Sequence, residues 1–523
     1  MLDILIKNGY VIDGTNNPWT KLDIAIKDGK IKKMSKNIDE NASKMIDATN
    51  NVVSPGFIDT HVHSDLLCMK PQIHQIKLKQ GVTTELFGQD GTSVAPVSSH
   101  TKSLWQNQLK GLDGDIGDWG WLSVNDYLNT LKQTKLLNNV AYLVPHGNIR
   151  SLVMGFEERE ASNEEMTEMR KQAEKAMKEG AIGFSTGLIY PPNVFSNTQE
   201  LIEICKGVAK YDGCFVVHVR NESTRLLEAL DEVIEVSKKS GVRLHVSHFK
   251  SMGLKNSYKY DLALEKMQTA REKGVEVTFD QYPYAASSTV FHSILPPWAH
   301  SGGTNKMLEH LTKEESRNKI KEDLKNNEDY ENHVLNCGWD KIVIANVEKN
   351  KDIENKSVLE ISNLWDKSPE DAAMDLLLEE QGNVTMICHW GKEKDIEKAM
   401  RSPLLIVGSD GIFGSKPHPR LYGTFPRILS RYVREKRVLS LTEAIHHMSG
   451  LPAQLLRLKD RGTLREGNWA DIVVFNSESV KDKPTFENPK QEPVGIKNVI
   501  VNGNISVENG ETISFDGDGK VLK

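Results

Sequence analysis

Along the middle of the chain, short apolar runs alternate with amphipathic helical stretches, and this alternation constrains the fold more than any other feature. The runs include Val140-Ala141-Tyr142-Leu143-Val144, Ala181-Ile182-Gly183-Phe184, Cys214-Phe215-Val216-Val217, Leu244-His245-Val246, Val275-Glu276-Val277-Thr278-Phe279 and Leu404-Leu405-Ile406-Val407. Between the first two, Glu164 to Glu179 reads as a helix closed by Gly180. Strand, helix, strand at this spacing makes βα units and a parallel sheet. Several runs carry a polar residue just past their C-terminal end, which is where a (β/α)8 barrel keeps its site. The fold class expected is therefore α/β, a TIM-type (β/α)8 barrel. A doubly wound sheet is the rival, and it lacks support because no Gly-x-Gly-x-x-Gly turn follows a strand.

The two ends differ from the middle. Residues 1–54 alternate in a strand-like way (Ile4/Ile6, Ile24/Ile26, Ile31), with Asn8-Gly9, Asp13-Gly14 and Asp28-Gly29 as turn signals. The same texture returns in Ala470 to Phe475 and Val499 to Ile505. A length of 523 residues exceeds the ~250–300 at which a single core stops growing, so a second, smaller unit is expected. These ends supply it as one β-domain built from both termini, 1–54 plus about 430–523, around a barrel at 55–429. Residues 290–331 break the alternation with Pro296-Pro297-Trp298, Ser301-Gly302-Gly303 and a charged helical stretch, and read as an insertion near the barrel mouth.

Composition narrows the function. Lys and Arg number 66 against 72 Asp and Glu, a net charge of -6, and no basic stripe carries interleaved aromatics, so nucleic acid is not an expected partner. No apolar stretch approaches the ~20 residues that span a bilayer. Five scattered cysteines do not form a disulfide framework, and Met1 to Lys7 does not read as a secretory signal, so a cytoplasmic location is expected.

The chemistry begins at Pro55-Gly56-Phe57-Ile58-Asp59-Thr60-His61-Val62-His63. Side chains at i and i+2 of a strand share a face, so His61 and His63 can converge on one divalent metal. His218, His248 and Asp410 each follow a strand-like run in the same manner. Taken singly each would be a buried, hydrogen-bonded polar residue. Together, neutral imidazoles and a carboxylate at strand ends are the ligand set of zinc.

With these motifs the chain resembles the amidohydrolase superfamily and, within it, the N-acyl-D-amino-acid deacylases. The likeness runs nearly end to end. It rests on Gly56 to His63, Gly147-Asn148-Ile149-Arg150, Gly183 to Pro192, Val246-Ser247-His248-Phe249-Lys250, Gly408-Ser409-Asp410-Gly411 and His418 to Arg427. The resemblance implies a (β/α)8 barrel with a small β-sandwich from both termini, one tight zinc site built on His218 and His248, and a second, weaker one at His61 and His63. Where the family has a cysteine in a Gly-Asn-Cys-Gly turn, this chain reads Gly88-Gln89-Asp90-Gly91. Asp90 is thus expected in place of a thiolate ligand. The runs for the third and fourth strands end without a lysine, so the carboxylated-lysine bridge of hydantoinases and dihydroorotases is not expected.

What the resemblance implies for activity is zinc-dependent hydrolysis of the linear amide of an N-acyl-D-amino acid. Asp410 would be general base and then acid, acting on a water activated by the metal. Lys250, Arg420, Tyr190, Tyr282 and Ser288 match family positions near the substrate's α-carboxylate, a sensible group of cations and hydroxyls for an anion. The rival readings are a cyclic-amide hydrolase and a non-catalytic scaffold. The substrate side chain, acyl group and oligomeric state are left open by the sequence.

Overall fold

A computed structural model describes residues 1–523. Eight parallel strands form the barrel, in spatial order Phe57–Asp59, Val82–Phe87, Asn139–Pro145, Gly183–Gly187, Cys214–His218, Arg243–Val246, Val277–Gln281 and Leu405–Val407. Helices follow the strands as the alternation requires. One is Asn163–Glu179, whose N-terminus carries a Ser162/Glu165 capping box and whose C-terminus is Gly180 at φ +119°, in the left-handed region that favours glycine.

The period-2 alternation of the strands sorts their side chains. Phe215, Val217, Leu244, Val246, Phe279 and Val407 belong to the large core under the helices. Ile58, Leu86, Leu143, Val216 and Ile406 form a second cluster, closed by Leu451 and Leu455. In register with Val216 stands His245, and with Ile406 stands Asp280, so these two polar side chains share the second cluster's side of the sheet.

The first and eighth strands do not pair directly. Closure comes just beyond them, where Val62–His63 pairs in parallel with Gly411–Ile412 and the Asp410 N–H donates to the His61 carbonyl at 2.8 Å. Beneath this seam lies a buried ion pair. The Lys77 ammonium donates to Asp59 Oδ2 at 2.9 Å and to Ser409 Oγ at 2.8 Å, while Asp59 Oδ1 accepts from the Ser409 N–H at 2.8 Å.

Strands from both termini build one sheet outside the barrel. Leu2–Val11 is its spine: it pairs with Thr20–Lys27, with Ala42–Asp47 over its first half and with Val52–Pro55 at its end. Ile472–Phe475 joins the other edge of Val52–Pro55 and brings in the C-terminal strands. Asp28-Gly29 makes the expected tight turn, with φ +51° and +77°. Asn8-Gly9 does not. It is a bulge inside the long strand, where Asn8 donates its N–H to Asp23 and a Cβ on Gly9 would fall 2.4 Å from Val53 Cγ2. The helices Leu441–Met448 and Gly450–Leu455 pack toward the barrel and not into this sheet, through Ile445 and Met448 in the barrel's outer core and Leu451 and Leu455 beneath it.

Between the seventh and eighth strands the chain makes a long excursion that begins before residue 290 and continues past 331. It forms a three-stranded antiparallel sheet of Ala286–Val290, Thr385–His389 and Ile342–Asn346, with a core of its own that includes Met307, Leu311, Ile320, Ile342 and Leu376. No helix is long and apolar enough to cross a membrane.

The Lys77 pair predicts a stability effect. Lys77→Met leaves Asp59 buried without its ammonium, and this is expected to cost about 3–5 kcal/mol, read as a lower urea midpoint and Tm. An unchanged midpoint would show that the seam does not depend on the pair.

Candidate metal centre

The barrel's C-terminal rim gathers six of the expected residues: His61, His63, Asp90, His218, His248 and Asp410, all buried. Three of them stand on backbone that non-glycine residues rarely adopt, Asp90 at φ +54°, His248 at +32° and Asp410 at +49°. Each turns the chain sharply at a strand end, so the side chain reaches over the barrel mouth. Strain of this kind, about 1–3 kcal/mol each, gathers where function requires a fixed geometry. The Asp90 turn also needs its flanking glycines: a Cβ on Gly88 would meet the Leu143 carbonyl at 2.2 Å, and one on Gly91 would meet Thr186 Cα at 2.8 Å.

Asp90 divides its two oxygens between two groups of imidazoles. Oδ2 lies 3.5 Å from His61 Nε2 and 3.6 Å from His63 Nε2, and Oδ1 lies 3.6 Å from His248 Nε2. His218 Nδ1 lies 2.9 Å from His248 Nε2. Asp410 Oδ1 lies on the His61/His63 side, 3.7 and 3.3 Å from their Nε2 atoms. Four-coordinate zinc with ligands at ~2.0–2.1 Å keeps them about 3.3 Å apart, close to these separations. His61 Nε2 and Asp90 Oδ1, which converge with His248, are buried without a hydrogen-bond partner. Unsatisfied donors of this type, converging in the interior, fit a divalent metal better than any hydrogen-bond network the side chains could form among themselves.

The electrostatics agree. Burial pushes the His218 pKa down to about 3, so its ring is the neutral form that binds metal. Burial also opposes the imidazolium of His61, yet the carboxylates of Asp90, Asp410 and Asp280 outweigh it and raise that ring well above its ordinary value. Burial alone would raise Asp410, but Arg420 and then His61 hold it below the usual carboxylate range. The carboxylates thus favour a positive charge at His61, which a bound cation would supply in place of the ring's proton.

Two carboxylates that the sequence reading missed support the rings. Glu222 Oε1 lies 3.0 Å from His248 Nδ1, and Asp280 Oδ2 lies 3.5 Å from His61 Nδ1 and 2.9 Å from His245 Nε2. Such contacts fix a ring's tautomer and orientation. Asp280 could have been suspected as a carboxylate within an apolar strand run. Glu222, in the loop after Cys214–His218, carried no local signal.

Lys250, Tyr190 and Ser288 line a cleft above the centre, together with His63, His218 and Asp410. Lys250 Nζ donates to both Glu222 oxygens at 2.6 and 2.7 Å, and Tyr190 Oη pairs with Thr289 Oγ1 at 2.8 Å. Tyr282 and Arg420 stand behind the cleft wall. The guanidinium of Arg420 lies over the Tyr282 ring at 4.5 Å, places Nη1 2.9 Å from Asp410 Oδ2 and donates from Nη2 to the Ser288 carbonyl at 2.8 Å.

A parallel barrel with imidazoles and carboxylates converging over its strand ends defines a class of metal-centred barrel proteins. Within that class the chain belongs to the amidohydrolase family, whose profile matches residues 44–318 and 375–507. It is 32% identical to a D-aminoacylase of Alcaligenes xylosoxydans xylosoxydans over 96% of this chain and 93% of that protein. To an N-acyl-D-aspartate deacylase of the same organism it is 30% identical over 99% of this chain and 95% of the relative. Among solved structures, the N-acyl-D-glutamate deacylase of Bordetella bronchiseptica, complexed with zinc and a phosphonate inhibitor that mimics the tetrahedral intermediate, superposes with a TM-score of 0.84 at 30% identity, covering 100% of this chain and 99% of that one.

The support of His248 predicts that Glu222→Gln weakens metal binding about 10–100-fold, measured by competition with a chromophoric chelator. Unchanged affinity would remove Glu222 from that role.

Proposed function

We propose that the chain is a zinc-dependent deacylase that hydrolyses the linear amide of N-acyl-D-amino acids to a carboxylate and a D-amino acid. The observation that carries this reading is the position of Asp90 between the His61/His63 and His218/His248 pairs, with Asp410 beside it at the cleft floor. His218, His248 and Asp90 would hold the tighter zinc. His61 and His63, sharing Asp90, would hold the weaker. Zinc when bound supplies Lewis acidity, polarising the scissile carbonyl and bringing the deprotonation of water near neutral pH.

The chain's own residues do the rest. Asp410, held ionised and facing the cleft, takes the proton of the attacking water and then delivers it to the amide nitrogen, which must be protonated to leave. Arg420, paired with the other Asp410 oxygen, fixes the carboxylate's orientation. At the cleft wall Lys250, with the Ser288 and Tyr190 hydroxyls, meets the substrate's α-carboxylate. Tyr282 and Arg420 back that contact from behind. With the carboxylate and the scissile carbonyl both fixed, one side of Cα remains for the side chain, which gives selectivity between enantiomers. The hand is taken from the relatives named for D-amino acids.

Asp90 also bears on the cyclic-amide alternative. It would take the bridging place between the imidazole pairs, and the strands Asn139–Pro145 and Gly183–Gly187 offer no lysine to compete for it. On domains, we take the barrel to extend through the helices at 441–455, with 1–54 and the strands after 470 as the sheet unit and the excursion around 290–331 as part of a larger inserted unit.

Two outcomes test the reading. Zinc-loaded protein should hydrolyse N-acetyl-D-amino acids and leave their L enantiomers, a hydantoin and dihydroorotate essentially untouched; comparable turnover of the L series or of a cyclic amide defeats the assignment. Asp410→Asn should lower kcat by about 10²–10⁴-fold with metal content and fold retained. Near wild-type kcat at full metal loading would take Asp410 out of the mechanism.

A further inference from the structure

His245 is a fully buried imidazole with no part in the mechanism above. It stands inside the barrel on the strand Arg243–Val246, in register with Val216 on one side and Thr278 on the other. The interior around it is largely aliphatic, with Leu86, Leu143, Val216 and Ile406 in one cluster. An aliphatic side chain would fill such a position without taking two ring nitrogens out of water, so a histidine there must recover that cost in hydrogen bonds. Both nitrogens are engaged: Nδ1 lies 2.8 Å from Thr278 Oγ1, and Nε2 lies 2.9 Å from Asp280 Oδ2. A carboxylate only accepts, so Nε2 carries a proton. Neither nitrogen is left for a metal.

Asp280 is where this bond takes effect. Its Oδ2 also faces His61 Nδ1 at 3.5 Å, and that nitrogen, buried, has no other partner. Its Oδ1 accepts the His248 N–H at 2.8 Å. One carboxylate thus touches the ring of His61 and the backbone of His248. The space for it is narrow: a Cβ on Gly408 would fall 3.0 Å from Asp280 Oδ1 and 3.0 Å from His61 Cβ. Rotation of the carboxyl about its terminal bond is restrained on the Oδ1 side by the His248 amide and on the Oδ2 side by His245. Without the second restraint Oδ2 is free to leave His61, and a ring that turns no longer aims Nε2 at the metal.

We infer that His245 is a positioning residue of the metal centre: acting through Asp280 from inside the barrel, it fixes the ring of His61 and sets the affinity of the weaker zinc site. The inference rests on the metal-centre reading proposed above, in which His61 is a ligand.

The test uses His245→Gln, His245→Asn and His245→Leu, with fold checked by circular dichroism and zinc affinity measured by competition with a chromophoric chelator. The glutamine amide reaches the place of Nε2 and can still donate to Asp280. The asparagine amide stops near the place of Nδ1 and reaches only Thr278, and leucine reaches neither. The asparagine and leucine variants should weaken the lower-affinity site by about 10-fold or more, and the tighter site less, whereas the glutamine variant should keep most of the wild-type affinity. In a cycle with Asp280→Asn, the double variant should lose little more than the larger single loss, because both changes break one route. Equal losses in the glutamine and asparagine variants, or additive losses in the cycle, overturn the inference and leave the metal-centre reading standing. Wild-type protein that binds no zinc at His61 fells that reading and the inference together. The unmutated protein gives a reading that does not depend on any variant folding: in crystals of the zinc-loaded form, Asp280 Oδ2 should lie within about 2.7–2.9 Å of His61 Nδ1 with the His245 contact kept. An Asp280 turned away from either ring overturns the inference.

Discussion

Everything at this barrel's rim is organised by the charge of Asp90. A carboxylate buried among imidazoles needs a positive partner. In the chain alone it finds one in His61, whose ring is driven toward its charged form by Asp90, Asp410 and Asp280 together. A divalent metal would answer the same need with more charge, in the place where the unpaired His61 Nε2 points. A thiolate offers one soft sulfur to a metal, whereas a carboxylate offers two hard oxygens that can serve two ions separately. The 3.5 to 3.6 Å spread of Oδ1 and Oδ2 toward different imidazoles is the structural expression of that difference.

Holding such a group in place consumes stability elsewhere. Three residues accept left-handed backbone, Gly88 and Gly91 make the Asp90 turn possible, and Glu222 and Asp280 lock the rings from behind. The barrel must also close at the point where its first and eighth strands bring His61, His63 and Asp410 together, and there the ladder is only two residues long. The buried Lys77–Asp59 pair with Ser409 reinforces that seam. Fold and site therefore meet in the same few residues.

Much of this could be read from the sequence because period and position carry it. The barrel follows from apolar runs separated by helical stretches, and His61, His63, His218 and Asp410 announce themselves by ending or following such runs. Asp28-Gly29 and Gly180 are local backbone requirements, and they stand where expected. Other features depend on partners distant along the chain. Asn8-Gly9 has the composition of a turn, but the packing of Val53 makes it a bulge. Lys77 would be expected in solvent, and only Asp59 and Ser409, brought by two different strands, explain its burial. Glu222 becomes a support for His248 through loop geometry alone. The inserted sheet extends past the irregular segment, and its strands at 342–346 and 385–389 are apolar runs that nothing local distinguishes from barrel strands.

The central claim is that Asp90 joins two imidazole pairs into one metal centre. Anomalous diffraction at the zinc edge on crystals of the metal-loaded protein tests it most directly. The account predicts a strong peak among His218 Nδ1, His248 Nε2 and an Asp90 oxygen, with that oxygen within about 2.0–2.2 Å, and a weaker peak among His61, His63 and the other Asp90 oxygen. A peak with Asp90 turned away from it, or zinc bound elsewhere on the chain, would contradict the account.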